Sequence, residues 1–342
     1  MVTRNDVAKR ANVSPGVVSY VINGTNYVSE EKKKAVLKAI RELKYIPNGT
    51  ARNLKKNKTF QIAVLRGSVL NDMFNDLLYS MEGIAYDKGY TVSLITVKRG
   101  SDMMASDAFV DELIRRRYDV IFVANSSLQD EQINRFVSYG IPVLLYNTRD
   151  YFTLDESVRC LAPNYRKGVQ GLIEMLIDCG HERIGFIPNM LYPNMCERSN
   201  HRFDGYARAF ESRGINLDER YVSGHSVANT LESVIGEVKE MFNSSPESRP
   251  TALYADESIV VGTILKQLQD MGLRVPQDVS LVGSSASTIS RLLTPRITSV
   301  GLKPELLAQK AVDMMMELTA GRHPENSLME MQLFQGESVR KL

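Results

Sequence analysis

Cysteine is scarce, and its pattern rules out two kinds of scaffold. Cys160, Cys179 and Cys196 form an odd set without a CxxC pair, so neither a disulfide framework nor a zinc site is indicated. They read as small, buried or partly buried side chains. Histidine is almost as scarce, and His181, His201, His225 and His323 form no HExxH pair. No GxSxG elbow, P-loop or GxGxxG fingerprint is present. An enzyme is therefore disfavoured, and no cofactor or metal is expected. No apolar run approaches the roughly 20 residues of a membrane span, and no signal-peptide core opens the chain. Coiled-coil heptads, short repeats and low-complexity tracts are also missing. A cytoplasmic protein without membrane contact is expected.

What is present divides unevenly by charge. Residues 1–58 carry 13 Lys and Arg against 4 Asp and Glu, a net of +9, while the remainder carries 29 against 36. A basic head on an acidic body is an electrostatic footprint for a polyanion. At 342 residues, with 43% hydrophobic and 24% charged, the chain is long enough for more than one globular domain.

The head holds DVAKRANVSPGVVSYVIN, Asp6 to Asn23. Two short helices with a tight turn are expected here. Ser14 is a good N-cap, and Pro15 at the first helical position loses no hydrogen bond. Val17, Val18, Val21 and Ile22 give the second helix an apolar stripe. This is the shape of a helix-turn-helix that presents its second helix to the major groove. Ser29, Glu30 and Glu31 open a third helix with Val36, Leu37, Ile40 and Leu43 on one face, closing a three-helix core. Residues 48–58 are basic and too short for a helix stable alone in water. They read as a hinge that orders on a partner.

From Gln61 the pattern alternates strand and helix. Strands are expected at Ile62–Leu65, Thr91–Thr96, Val120–Ala124, Val143–Tyr146, Arg183–Ile187, Ala252–Tyr254 and Ser280–Val282, with helices between. Alternation of this kind builds parallel sheets covered by helices on both faces. About 280 residues exceed one such sheet, so two subdomains are expected, with a ligand cleft at their facing strand ends.

The head string, followed by VSEEKKKAVLKAIRELKYIPNGTARNL, resembles the lactose/galactose-repressor family of bacterial transcription regulators. Further matches are CGHERIGFI at Cys179–Ile187, RFDGY at Arg202–Tyr206, RVPQDVSLVG at Arg274–Gly283 and GESVR ending at Arg340. The resemblance covers essentially the whole chain in order. It implies an α/β body of two subdomains like the periplasmic binding proteins, with parallel sheets flanked by helices. An all-α N-terminal helix-turn-helix head would precede it. The domains would be 1–47 for the head, 48–58 for the hinge and 60–342 for the body. The first subdomain would take about 60–160 plus 290–322, the second about 163–289 plus 323–342. The implied function is a repressor acting as a homodimer on a near-palindromic double-stranded DNA operator, governed by a small-molecule effector. A protein corepressor acting on a degenerate cleft is the alternative.

On that template Pro15, Gly16 and Tyr20, with Val17 beside them, occupy the base-reading positions. Ser14, Ser19 and Asn23 would hold phosphates, and Thr3 would add a backbone contact. Leu54 matches the family's minor-groove lever, with Ala51 allowing close approach and Asn48, Thr50 and Arg52 holding phosphates. In the cleft, Arg202 matches an effector-binding arginine, and Phe74 would stack on a ligand ring. Thr148 replaces an arginine, with Arg149 one place on, and Ser285 stands nearest a missing acid. Asp256 or Glu257 supplies an acid nearby. Loss of several charged positions argues against a typical sugar effector.

Overall fold

The computed structural model describes residues 2–46, 58–67, 72–96, 107–124, 128–188, 196–223, 230–284 and 287–342. The chain forms two compact units, Met1–Thr59 and Phe60–Leu342. Among the described residues no helix is long and apolar enough to cross a membrane.

The first unit contains α1 (Arg4–Ala11), α2 (Pro15–Asn23) and α3 (Glu30–Glu42). Helix α1 starts earlier than the sequence suggests because Thr3 and Asp6 form a capping box, each side chain meeting the other's backbone amide. Ser14 caps α2 by accepting from the Val17 amide. Ser29 precedes α3 but makes no such bond. Val7, Ala8, Val18, Val36, Ala39 and Tyr45 form the buried core. Leu37, expected on the inner face, is 42% exposed. Val36, Ala39 and Leu43 already fill the stripe facing α1 and α2, and one position along is a 100° turn away.

The second unit holds two sheets. The first contains β1 (Gln61–Arg66), β2 (Thr91–Thr96), β3 (Val120–Ala124), β4 (Val143–Tyr146), β5 (Arg159–Pro163) and β10 (Ser327–Met329). Their order is β10-β5-β4-β3-β1-β2, and all pairs are parallel. Helix α4 (Asp72–Asp87) and α12 (Pro304–Thr319) cover one face, and α5 (Asp107–Arg116) and α6 (Asp130–Ser138) the other. Being covered on both sides, Ile62 to Leu65 read as one apolar run rather than an alternation.

The second sheet contains β6 (Ile184–Ile187), β7 (Ala252–Ala255), β8 (Ser280–Gly283), β9 (Thr298–Gly301) and β11 (Gln332–Phe334), in the order β11-β9-β8-β7-β6. Only β11 runs antiparallel among these pairs. Helices α7 (Tyr165–Asp178) and α8 (His201–Ser212) cover one face. Helices α9 (Leu231–Phe242) and α10 (Ser258–Asp270) cover the other, and a short α11 spans Thr288–Leu292. Gly205 lets α7 and α8 close on each other, since a Cβ there would lie 2.5 Å from the Arg166 carbonyl oxygen.

The chain crosses between the sheets three times, but not at the expected places. Strand β5 keeps Pro163 in the first sheet, so the boundary at 160 moves to 163. The 290 boundary moves past β9, which pairs with β8 and ends at Gly301. The 322 boundary moves past β10, which pairs with β5 up to Met329. These strands are three to five residues long and pair with partners far away in sequence, so local pattern does not reveal their sheet. Met314 and Met315 of α12 are buried in the core of the first sheet.

Candidate nucleic-acid interface and effector cleft

Helix α2 places its expected readers outward. Ser14, Pro15, Gly16 and Asn23 are exposed, Tyr20 is 40% exposed, and Val17 and Ser19 are half-buried. Only Val18 of this helix is fully buried; Val21 and Ile22 pack on the same core, and the opposite side is left outward. The Asn23 amide donates to the Ser19 carbonyl at 2.9 Å and to its hydroxyl oxygen at 3.1 Å. That bond leaves the Ser19 hydroxyl proton able to donate outward. Thr3 is engaged as the cap of α1. Asn48, Thr50, Ala51, Arg52 and Leu54 lie outside the described residues, as does Ser285.

In the body, chemistry gathers where the C-terminal strand ends of the two sheets meet. Tyr146 ends β4, Tyr165 opens α7, and their hydroxyl oxygens lie 3.3 Å apart. Burial raises the pKa of both phenols. Arg202, in the first turn of α8, lays its guanidinium over the Tyr165 ring at 3.6 Å. Its Nε lies 2.8 Å from Asp256 Oδ1, off the line of a hydrogen bond. Burial would lower the Arg202 pKa, but Asp256 outweighs it and raises the value. Asp256 follows β7, is 1% exposed and also accepts from the Ser284 hydroxyl at 2.7 Å. Glu257, buried beside it, holds φ +61° and ψ 146°, a region that costs a non-glycine residue about 1–3 kcal/mol. Such strain survives where the surroundings over-determine the backbone, and here it sits at the end of a sheet strand facing the cleft.

The other expected cleft residues are placed differently. Phe74 is 5% exposed and belongs to the first core, stacked on Phe122 at 6.4 Å, with the Arg66 guanidinium 4.9 Å from its ring. Both faces meet protein, so it supports the cleft floor rather than offering a ring to a ligand. Thr148 contributes its carbonyl, which accepts from the His201 amide at 3.3 Å. Arg149 folds back to the Leu128 carbonyl at 3.0 Å and over the Tyr151 ring, so it does not replace the lost arginine. Asn164 caps α7 and donates to Glu330 at 3.0 Å, a strut between two crossings. His181 is structural, held by Thr251, Ser280 and the Arg340 carbonyl.

Three features escaped the sequence reading. Arg66 is a 2% exposed arginine at the end of β1, donating to Asn75 Oδ1 at 2.7 Å. An ionic clasp joins the two sides of the first crossing: Asp150 accepts from Arg166 at 2.7 and 2.8 Å and lies 3.1 Å from His201 Nε2. Burial, then Arg166, push His201 down to about 4, so the ring is neutral at pH 7 and donates from Nε2. Across the cleft, Asp76 of α4 accepts from both the amide and the hydroxyl of Thr288. A cation ending an apolar strand was a visible signal for Arg66. The clasp had none, because its partners lie 16 to 51 positions apart.

Residues 3–48 match the model for bacterial regulatory proteins of the lacI family, and residues 173–339 match a periplasmic binding protein-like domain. The HTH-type transcriptional repressor PurR of Serratia proteamaculans is 31% identical over 334 residues, covering 96% of this chain and 94% of that one. This chain belongs to the lacI family of bacterial regulatory proteins. The PurR repressor of Klebsiella pneumoniae is 30% identical over 333 residues, with the same coverage. Among solved structures, the lac repressor dimer bound to operator and the anti-inducer ONPF superposes with a TM-score of 0.80 at 22% identity, covering 99% of both chains. A complex of the regulator CelR with cellobiose gives 0.69 at 24% identity, over 99% of this chain and 100% of that one. These two likenesses bear on the fold. Within this lacI-family chain the RFDGY match divides its labour. Arg202 meets the cleft, Phe203 and Tyr206 pack on Phe186, Asp204 binds three arginines, and Gly205 permits helix contact. The GESVR match is a clip: Ser338 donates to the Leu281 carbonyl and accepts from the Thr298 amide.

Proposed function

We propose that this protein is a dimeric transcriptional repressor that reads a near-palindromic operator with α2 and is switched by a small molecule in the body cleft. One observation carries the ligand part. Arg202 is buried and ion-paired with Asp256, yet its Nε finds no hydrogen-bond acceptor in line among the described residues. Buried donors are paired in native proteins, so donors left over at a cleft point to a ligand acceptor. The DNA part rests on the exposed reading face of α2 and the basic head. Direct readout falls to Tyr20, to Val17 against a thymine methyl, and to close backbone approach at Gly16. Two-fold symmetry of a dimer matches a two-fold site.

The switch is a two-state one. A ligand bridging both sheets favours the closed body, and the Asp76–Thr288 and Asp150–Arg166–His201 contacts belong to that state. Genome-wide mapping of bound DNA is the test. Discrete sites sharing an inverted-repeat sequence are expected, and uniform, salt-labile coverage would overturn the reading.

A further inference from the structure

A second cavity lies in the body, of about 500 Å³. It sits at the edge of the second sheet where β6 is the last strand. Its walls are the segment Glu219–Ser223, which bridges to β6 at Phe186, and the C-terminal half of α9 with the turn that follows. Every described residue lining it belongs to the stretch 219–248, which serves the second sheet alone. Tyr146, Tyr165, Arg202 and Asp256 take no part in it.

Ser223 is the residue that marks this cavity as a site. Neighbours on an extended backbone face opposite ways. Val222 packs into the core under α7 and α8, which turns Ser223 toward α9. The backbone of Ser223 is fully engaged: its amide donates to the Phe186 carbonyl at 2.9 Å, and its carbonyl accepts from the Cys196 thiol at 2.8 Å. Its hydroxyl is left over. The residue is 4% exposed, and the hydroxyl has no partner among the described residues. Buried polar groups are paired in native proteins, so an orphan at a cavity wall points to a bound group. The charge of the lining says which kind. Glu237, Glu240 and Met241 stand at i, i+3 and i+4, on one face of α9, and Glu219 adds a third carboxylate. Arg220 is the lining cation, and its guanidinium is already bound by Asp218 at 3.0 Å. The wall is therefore acidic, with the apolar side chains of Met241 and Val222 beside it. That field reaches Cys196, whose thiol is pushed up to about 12 by burial and then by Glu237.

We propose that this cavity binds a small aliphatic amine. Its ammonium group meets the carboxylates of Glu240 and Glu237 and the Ser223 hydroxyl, and its hydrocarbon stem lies on Met241 and Val222. An ammonium brings three donors and no acceptor, which is the complement of two carboxylates and a hydroxyl oxygen. A charged donor on a carboxylate is also about twice as strong as a neutral one, so a diol of the same length is a poorer ligand. An anion is repelled. A bare divalent ion fits badly, because no three metal-binding side chains converge among the described residues. The site goes beyond the switch proposed above and does not depend on it, since an amine held on one sheet bridges no crossing.

The test uses the full chain without DNA, because amines also bind the duplex. The probes are matched: putrescine against 1,4-butanediol, and cadaverine against 1,5-pentanediol. Thermal unfolding and titration calorimetry are the readouts. At least one diamine should raise the melting temperature by a few degrees at saturating concentration, and its diol should not. Magnesium chloride at the same ionic strength should not reproduce the rise. Glu240→Gln should weaken that diamine roughly fivefold or more, and Ser223→Ala roughly threefold or more. Glu131→Gln, the same loss of charge at an exposed site on α6, should leave the affinity unchanged. Should Ser223→Ala not fold, Glu240→Gln still decides, since Glu240 is exposed and outside the core. Equal response to diamine and diol, a rise matched by magnesium chloride, no response to either diamine, or an affinity that Glu240→Gln leaves unchanged each overturns the proposal. Operator binding is measured separately, so a failure of the repressor reading is distinct.

Discussion

The reading helix and the cleft are built on opposite principles. Helix α2 carries its functional side chains outward, within nine consecutive residues, while Val18, with Val21 and Ile22 beside it, holds the helix to the head core. The cleft carries its functional side chains inward, from strand and helix ends separated by up to about two hundred residues, and most are under 10% exposed. At α2, function and stability are therefore separable. In the cleft they are one thing, since each charged group is also a buried group that needs its partner. Substitutions should unfold the cleft and merely blind the helix.

The strongest way to break that comparison is Asp256→Ala. It leaves Arg202 buried with its charge uncompensated, and removing one member of a buried pair costs about 3–5 kcal/mol. Urea unfolding of the body should register the loss. A stable body with effector response intact would show that the cleft tolerates separation of function and fold. Arg202→Met with Asp256→Asn together should be far milder, because no charge is stranded.

Acid offers a second test. His201 has a depressed folded value of about 4, whereas an unfolded chain binds the proton near 6.5. Its contribution is fully present above the unfolded value. As pH falls below it, the unfolded state takes up a proton that the folded state refuses, and stability declines until the folded value is reached. Between pH 7 and 5 the decline should be about 2 kcal/mol from this residue. Asp150, Arg166 and Arg202 are the charged groups around it, and none titrates in that range. His201→Asn keeps a donor for Asp150 and should flatten the slope, leaving the part due to His181, whose value burial also lowers. A slope unchanged in that variant would remove the clasp from the account.

At α2 the same logic predicts a functional loss without a structural one. Tyr20→Ala should leave head stability within about 0.5 kcal/mol. Operator affinity should fall by about 1–3 kcal/mol in a gel-shift titration, concentrated at one base pair of each half-site. Uniform weakening across all sites would recast Tyr20 as a phosphate contact.

This contrast also explains what sequence could and could not say. The head was legible almost residue by residue, because Ser14, Pro15 and the valines state their roles locally. The strands β1 to β4 and β6 to β8 were legible as apolar runs, whereas β5, β9, β10 and β11 were not. Sheet membership was not, since β9 is placed by a partner 16 positions away and β10 by one 166 positions away. Arg202 was legible through RFDGY. Phe74 was misjudged because a phenylalanine at a strand–helix turn reads alike whether its faces meet a ligand or Phe122 and Arg66. The sequence leaves Asp256 and Glu257 equivalent, and the fold sets Asp256 beside Arg202.

The smallest effect has the sharpest meaning. A Cβ at Gly16 would find only the Ser14 hydroxyl, at 3.7 Å, so nothing in the head requires glycine there. Glycine in a helix costs about 0.5–1 kcal/mol relative to alanine. Gly16→Ala should thus stabilise the head by up to that amount, visible as a small rise in its melting temperature. If the backbone at Gly16 approaches the duplex closely, the same methyl group must lower operator affinity. A head that becomes more stable while binding DNA less well would show a residue kept for reading against the interest of folding. A head that gains stability and keeps its affinity would return Gly16 to the list of ordinary helix starts and leave Tyr20 and Val17 to read the operator.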